Sequence, residues 1–123
     1  MIKGFENETE PLTADELRAL PILIEGFKKL KGKESAMTAK YISAQMKKHH
    51  FITIDGARIR KLVNYIRTND KVPFLMATSR GYYVSSSTDE VSEYVKSLRD
   101  RADSIYHVAQ CLENQVLKLW AIL

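Results

Sequence analysis

The side chains best suited to recognising another molecule cluster between residues 55 and 69. Arginine and lysine here can donate hydrogen bonds to guanine, and asparagine can pair with adenine. At about 100° per residue, four apolar residues of the segment share one direction: Ile59, Leu62, Val63 and Ile66. The spacing therefore predicts a helix with one core face and one basic face. The residues predicted to contact base edges are Ala57, Arg58, Arg60, Lys61 and Asn64.

Basic charge is concentrated in the middle of the chain. Residues 17–87 contain 14 Lys or Arg and four acids, a net charge of +10, whereas residues 1–16 carry −4 and residues 88–123 carry −2. The whole chain averages only +4. A concentrated block of cations indicates that the middle segment binds a polyanion, with nucleic acid as the first candidate. The alternative interpretation is a lysine-rich surface that serves only solubility.

Three helices are predicted around this basic block. Thr13 and Glu16 have the spacing of a capping box, so the first helix should begin at about residue 14. Pro21 lies inside this helix, where its missing N–H predicts a kink or a break. Thr38 is the expected N-cap of a second helix, and a third spans residues 55–69. The predicted apolar face of the first helix consists of Leu17, Leu20, Ile24, Phe27 and Leu30.

A β-hairpin should follow the third helix. Pro73 can open an edge strand over residues 74–77, because an edge position needs no donor on its open side. Residues 78–81 form a tight loop in which Gly81 supplies a positive φ, and residues 82–84 form the returning strand. Alternation makes one of the two tyrosines in that strand a core residue without deciding which.

Three helices followed by a short hairpin, with the basic helix directly before the hairpin, resemble the winged helix-turn-helix superfamily over residues 13–85. In a narrower way, the runs IDGARIR at 54–60, YIR at 65–67, VP at 72–73 and GYYV at 81–84 are similar to small winged-helix proteins of phages and mobile elements.

The resemblance implies a role for each element. The helix-turn-helix would be residues 38–69, its second helix would enter the major groove, and the hairpin at 74–84 would touch the DNA backbone or the minor groove with Arg80 at its tip. Two features depart from the superfamily, because the wing is very short and Asp55 places an acid at the helix end that faces DNA. An N-cap role for Asp55 would use that charge within the helix. The residues expected at phosphates are Thr38, Lys40, Lys47, Lys48, Arg67 and Arg80.

A second capping box, at Ser87 and Glu90, opens a helix that can run to the C-terminus. Ten apolar residues follow it in alternating steps of four and three, the pattern of a coiled-coil seam. A helix of about 35 residues is about 50 Å long, so folding back on its own domain, the alternative, would leave part of the seam uncovered. We expect a homo-oligomer, with a dimer favoured. The seam consists of Val91, Val95, Leu98, Ala102, Ile105, Ala109, Leu112, Val116, Leu119 and Leu123.

Several other functions lack support in the sequence. Cys111 is the one cysteine, and the adjacent His49 and His50 diverge on a helix, so neither a disulfide nor a metal site is expected. Catalytic and phosphate-binding motifs are lacking, and we expect no enzyme activity, cofactor or small-molecule substrate. The apolar stretches are too short to span a membrane, and without a secretory signal a cytoplasmic location is expected.

The expected fold is mainly α, a three-helix winged helix-turn-helix domain with a two-stranded hairpin, followed by a long C-terminal helix. Its parts would be an acidic tail at 1–12, the winged domain at 13–86 and the oligomerisation helix at 87–123. The expected function is sequence-specific binding of double-stranded DNA, as a transcriptional regulator or as an accessory factor of a phage or mobile element. The alternative is an adaptor that binds proteins and not DNA.

Overall fold

The computed structural model describes residues 11–122. The chain divides into two compact units between Ser86 and Ser87. The described residues are mainly helical, with one antiparallel hairpin and a long last helix, which confirms the expected layout. In chain order the elements are α1 (Ala14–Lys28), a 3-10 turn (Lys33–Ser35), α2 (Ala39–His50), α3 (Gly56–Thr68), β1 (Leu75–Thr78), β2 (Gly81–Val84) and α4 (Thr88–Ile122).

The helices begin at the positions that the predicted N-cap residues indicate. At α1 the Thr13 hydroxyl accepts a hydrogen bond from the Glu16 N–H at 3.2 Å, and the Glu16 carboxylate accepts one from the Thr13 N–H at 2.7 Å. This reciprocal pair satisfies two donors that have no partner inside the helix. Thr38 caps α2 by accepting from the Tyr41 N–H, and Ser87 caps α4 by accepting from the Glu90 N–H, each at 3.2 Å.

The expectation of a break at Pro21 was wrong, because α1 continues through it from Ala14 to Lys28. Proline removes the bond to the carbonyl of Leu17, but both residues are exposed, so water can satisfy that carbonyl. The buried contacts of Leu23 and Phe27, on the turns after the proline, favour a continuous helix.

The core of the first unit lies among α1, α2, α3 and the hairpin. The face that α1 buries differs from the predicted one: Leu17 is 56 % exposed, whereas Phe27 and Leu30 are buried as expected. The large buried side chains elsewhere come from α2, α3 and the strands. The buried apolar residues of these elements are Ile42, Met46, Ile59, Leu62, Val63, Ile66, Leu75, Met76 and Tyr83.

β1 begins one residue later than predicted, and β2 begins one residue earlier. Met76 pairs with Tyr83, and Thr78 pairs with Gly81 across a two-residue turn. Tyr83 is the buried tyrosine of β2, while Tyr82 is half-buried and packs edge-on against Phe27 with ring centroids 5.8 Å apart.

The segment between α1 and α2 extends the hairpin on its second edge. Met37 and Tyr82 exchange two backbone hydrogen bonds, of 2.8 and 3.1 Å. The Gly32 N–H donates to the Val84 carbonyl at 2.9 Å, and the Val84 N–H donates to the Leu30 carbonyl at 2.7 Å. β2 is therefore bonded on both sides, which leaves little of its backbone unpaired.

Gly81 is required by both space and backbone conformation. Its φ is +120°, and a Cβ there would overlap the carbonyl of Met37, which is backbone and cannot turn away. Gly26 is the opposite case, because a Cβ on it would meet nothing within 4 Å.

We expect Gly81→Ala to lower the free energy of unfolding by about 2 kcal/mol or more, from strain and the displaced Met37 bridge. Gly26→Ala, a matched control in α1, should raise it by about 0.5–1 kcal/mol because alanine is the better helix former. Urea unfolding followed by circular dichroism measures both. Equal stability of the two variants would contradict the tight contact at Met37.

Candidate nucleic-acid interface

Local hydrogen bonds determine where α3 begins. Asp55 has extended backbone angles, and its carboxylate accepts a hydrogen bond from the Arg58 N–H at 2.9 Å. The Ser43 hydroxyl donates to the carbonyl of Ile54, so α2 holds the residue that precedes the cap. Asp55 is therefore the N-cap of α3, and its negative charge lies at the positive end of the helix dipole.

Lys61 does not lie on the exposed face, and its predicted contact with DNA bases was wrong. It is only 1 % exposed, and its Nζ donates to Glu16 Oε1 at 2.8 Å and to the carbonyl of Pro11 at 3.1 Å. Glu16 is itself buried. A buried ammonium requires such partners, because an unpaired charge in the interior costs several kcal/mol.

Arg58 shares the same carboxylate. Its guanidinium lies 3.2 Å from Glu16 Oε2, and its side chain remains 38 % exposed. Arg58 therefore holds α1 against α3 at the edge of the unit, and it shares the single negative charge of Glu16 with Lys61. Its predicted role as a direct reader of bases competes with this ion pair.

The last two residues of the N-terminal tail predicted at 1–12 take part in the fold. Residues 1–10 lie outside the described part of the chain, but Pro11 accepts a hydrogen bond from Lys61 and Leu12 is half-buried. Pro11 and Leu12 therefore belong to the packed unit.

Glu16 was recognised in the sequence only as a capping residue, although its position also signalled burial. Glu16, Ala19, Leu23 and Phe27 lie on one stripe of α1, and all four are buried. A glutamate at the start of such a stripe needs a cation, and Lys61 supplies it from 45 residues away. That pairing is not visible in local sequence.

The pKa of Glu16 reflects this environment. Burial alone would raise it, but hydrogen bonds from Lys61, from the Thr13 backbone and from Arg58 together outweigh burial and lower the pKa from 4.5 to about 2. The carboxylate is therefore charged throughout the physiological range.

The face of α3 that remains at the surface is narrower than predicted. Ala57, Arg60, Asn64 and Arg67 follow one another at steps of three, four and three residues, which places them on one stripe of the helix. Arg60 is exposed, and the other three are half-buried. This stripe, which we call the α3 face, contains three of the five predicted base-contact residues together with Arg67, and it has no acid.

The residues predicted to contact phosphates lie on several elements. Lys40 and Lys47 are exposed and share one side of α2, with Lys48 exposed beside them. Thr38 is exposed but serves as the N-cap of α2. Arg80 is exposed in the two-residue turn between β1 and β2, the predicted tip of the hairpin. Every predicted phosphate-contact cation is thus at least partly accessible.

The predicted seam lies along α4. Of its ten residues, Leu123 is outside the described part of the chain, and the other nine occur within one helix of 35 residues. None of these 35 residues is buried; Val91 is half-buried, and Ile105 at the centre is 69 % exposed.

Compared with protein-family models, curated proteins and solved structures, the chain finds no significant match in any of the three. Between residues 11 and 122 no helix is both long and apolar enough to cross a lipid bilayer.

The ion pair at Glu16 makes stability depend on pH in a specific direction. Because the folded-state pKa of about 2 lies below the ordinary 4.5, the stabilisation is complete above about pH 5 and is lost as the pH falls towards 2. We expect Glu16→Gln to lower the free energy of unfolding at pH 7 by about 3–5 kcal/mol, since it leaves the Lys61 ammonium buried without its anion. It should also flatten the fall in stability between pH 5 and 2.

The control is Asp15→Asn, which removes an exposed acid from the same turn. Asp15 pairs with Arg18 at 3.1 Å, and both side chains are more than half exposed, so its loss should cost less than about 1 kcal/mol. Urea unfolding at a series of pH values gives both quantities. If Glu16→Gln lost stability in acid as steeply as the wild-type protein, the buried pair would not be the source of the dependence.

Proposed function

We propose that residues 11–86 form a winged helix-turn-helix domain that binds double-stranded DNA, with the α3 face reading bases in the major groove. The observation that carries the proposal is the α3 face itself, on which Arg60, Asn64 and Arg67 share one stripe without an acid. Arginine can donate two hydrogen bonds to guanine, and asparagine can pair with adenine through two.

The hairpin supports this proposal. β1 and β2 follow α3 directly, and β2 is joined on its other edge by the segment that precedes α2. Three helices with a small sheet assembled in this order are the arrangement that the resemblance implies. Arg80 would then contact the DNA backbone from the hairpin turn.

The distribution of charge in the first unit also favours a polyanion. Its acids are largely used within the fold: Asp15 pairs with Arg18, Glu25 pairs with Lys28, and Glu16 is buried. Among the described residues no such ion pair neutralises Lys40, Lys47, Lys48 or Arg80. The cations outside the folded ion pairs therefore give the unit a positive surface that attracts phosphates over distances of about 8–10 Å.

The adaptor alternative requires a different surface. Partner proteins usually bind to apolar anchors at the centre of a contact patch, and the α3 face offers cations and an amide. DNA binding and the adaptor function therefore predict opposite results when binding to a DNA duplex is measured.

Binding to a fluorescent DNA duplex, measured by anisotropy over a salt series, tests the proposal. Five cations could contact phosphates, and each contact adds about 0.9 to the slope of log affinity against log salt, so the slope should approach about −4.5. No binding at low salt, or binding that does not respond to salt, would overturn the DNA proposal in favour of the adaptor.

Single substitutions separate base reading from backbone contact. Arg60→Ala and Asn64→Ala should change which sequences are selected from randomised duplexes and cost about 1–3 kcal/mol at the contacted base pair. Lys47→Ala and Arg80→Ala should weaken all sequences alike. Arg60→Lys keeps the charge but loses the bidentate geometry, and Lys118→Ala removes a charge from α4 as the control. Identical selection profiles for all variants would show that the α3 face is not the reader.

We further propose that the protein is a homodimer joined through α4, whose seam is apolar and uncovered in the single chain. Replacing Ile105 and Leu112 by Asp should give a monomer in which the first unit still folds, because burying large aliphatic residues contributes about 1.5–3 kcal/mol each. Ser104→Asp with Gln110→Asp adds the same charge away from the seam and should leave the dimer intact. Light scattering gives the mass and circular dichroism the folding. A monomeric wild type would contradict the dimer.

A further inference from the structure

The seam of α4 alternates large and small residues in a way that bears on how two copies could pair. Towards its ends stand Val95, Leu98, Val116 and Leu119, while both alanines, Ala102 and Ala109, flank Ile105 at the centre. In coiled-coil notation the alanines occupy a positions, and Ile105 and Leu112 occupy d positions.

We propose that two α4 helices pair antiparallel, in the register that sets Ala102 against Leu112 of the partner subunit. This inference rests on the proposed dimer and adds its orientation and register. In an antiparallel pair each a residue packs against a d residue of the other helix, and residue numbers in one layer add up to a constant.

In this register every layer pairs a smaller residue with a larger one. Ala102 faces Leu112 of the partner subunit, and Ile105 faces Ala109 of the partner subunit. The outer layers pair Val95 with Leu119 of the partner subunit and Leu98 with Val116 of the partner subunit. No layer then consists of two alanines, so less space is left unfilled at the centre than in a pair in which each residue faces its own copy.

A parallel pair would distribute the same residues poorly. Each residue would face its own copy, so Ala102 and Ala109 would form two alanine layers on either side of an Ile105 layer. Alanine layers beside an isoleucine layer leave unfilled space that costs stability. Parallel dimers favour leucine at d and β-branched residues at a, a preference that Leu98, Leu112, Val95 and Val116 meet, so it is the two central alanine layers that disfavour a parallel pair.

Charge selects the same antiparallel register. Arg99 and Glu113 each follow a d residue, and the antiparallel alignment brings such positions of the two helices side by side. Arg99 would lie beside Glu113 of the partner subunit, and symmetry repeats the pair. Both residues are exposed in the single chain, and neither takes part in an ion pair within the described residues.

A shift by one heptad keeps small residues opposite large ones, as in Ala102 against Ile105 of the partner subunit, but it loses the ion pairs and part of the overlap. Arg99 would then lie beside Tyr106 of the partner subunit, Glu113 beside Ser92 of the partner subunit, and the last heptad of the seam would have no partner. The full overlap, the volume match and the ion pairs thus occur together in one register.

Charge reversal tests the orientation in the full-length protein. Arg99→Glu and Glu113→Arg should each raise the dimer Kd about tenfold, because each turns two attractive contacts into repulsive ones. The combined variant should return to the wild-type Kd.

In a parallel pair, residues 99 and 113 lie about 21 Å apart along the axis, so the combined variant would show the product of the two single effects. Lys118→Glu, which reverses a charge on the outer side, should leave Kd unchanged. Sedimentation equilibrium provides the values.

Distances between spin labels give a second readout that does not alter the seam. In a Cys111→Ser background, labels at His107→Cys lie at the centre of the antiparallel pair and should have no axial offset. Labels at Lys118→Cys should be offset by about 33 Å along the axis. A parallel pair would give similar short distances at both positions.

The outcomes separate this inference from the proposed dimer. A dimer with a long distance at residue 118 and restored affinity in the combined variant supports the antiparallel register. A dimer with short distances at both sites overturns the orientation and leaves the dimer standing. A monomeric wild type overturns both, and the DNA-binding measurements are independent of all three results.

Discussion

The buried ion pair between Glu16 and Lys61 is the interaction on which the arrangement of the first unit depends. It joins α1 to α3 across 45 residues of sequence at a distance of 2.8 Å. Neither charge can remain in the interior without the other, because the cost of an unpaired buried ion exceeds that of most single contacts. The pair therefore restricts the rotation of α3 about its own axis. With Lys61 turned inward and Ile59 buried on the other side, the solvent-accessible surface of α3 is limited to a narrow stripe.

The same carboxylate performs three local functions. It accepts the backbone N–H of Thr13, which starts α1, it accepts the ammonium of Lys61, and its second oxygen lies beside Arg58. Lys61 in turn donates to the carbonyl of Pro11. The beginning of α1, the chain before it and the face of α3 are thereby coupled through a single side chain. This coupling explains why two cations of α3 stabilise the fold while Arg60 and Arg67, on the neighbouring side, remain near the surface.

Features that depend on neighbouring residues could be predicted from the sequence, and those that depend on distant contacts could not. The caps at Thr13, Thr38 and Asp55 follow from hydrogen bonds within one turn, and the tight turn before Gly81 follows from its positive φ. The burial of Lys61 needs a partner on another helix, so helical periodicity, which sets Lys61 opposite the apolar face, assigned it to the surface. The face of α1 was predicted with Leu17 inside because Leu17 continues the three- and four-residue spacing of the apolar positions, yet it is exposed. Periodicity gives the kind of element, and packing selects its orientation.

Under the proposed function, an antiparallel pair of α4 helices would also constrain the spacing of the DNA sites. Thr88, at the start of a helix of 35 residues, would lie about 57 Å along the axis from Thr88 of the partner subunit. Two half-sites on one face of a duplex are separated by about 34 Å for each helical turn, so adjacent half-sites would be closer together than the two points at which α4 begins. A parallel pair would bring these points together and favour adjacent half-sites. Antiparallel pairing instead favours half-sites separated by more than one turn, or two separate duplexes, so the orientation of α4 and the spacing of the DNA sites are a single structural question.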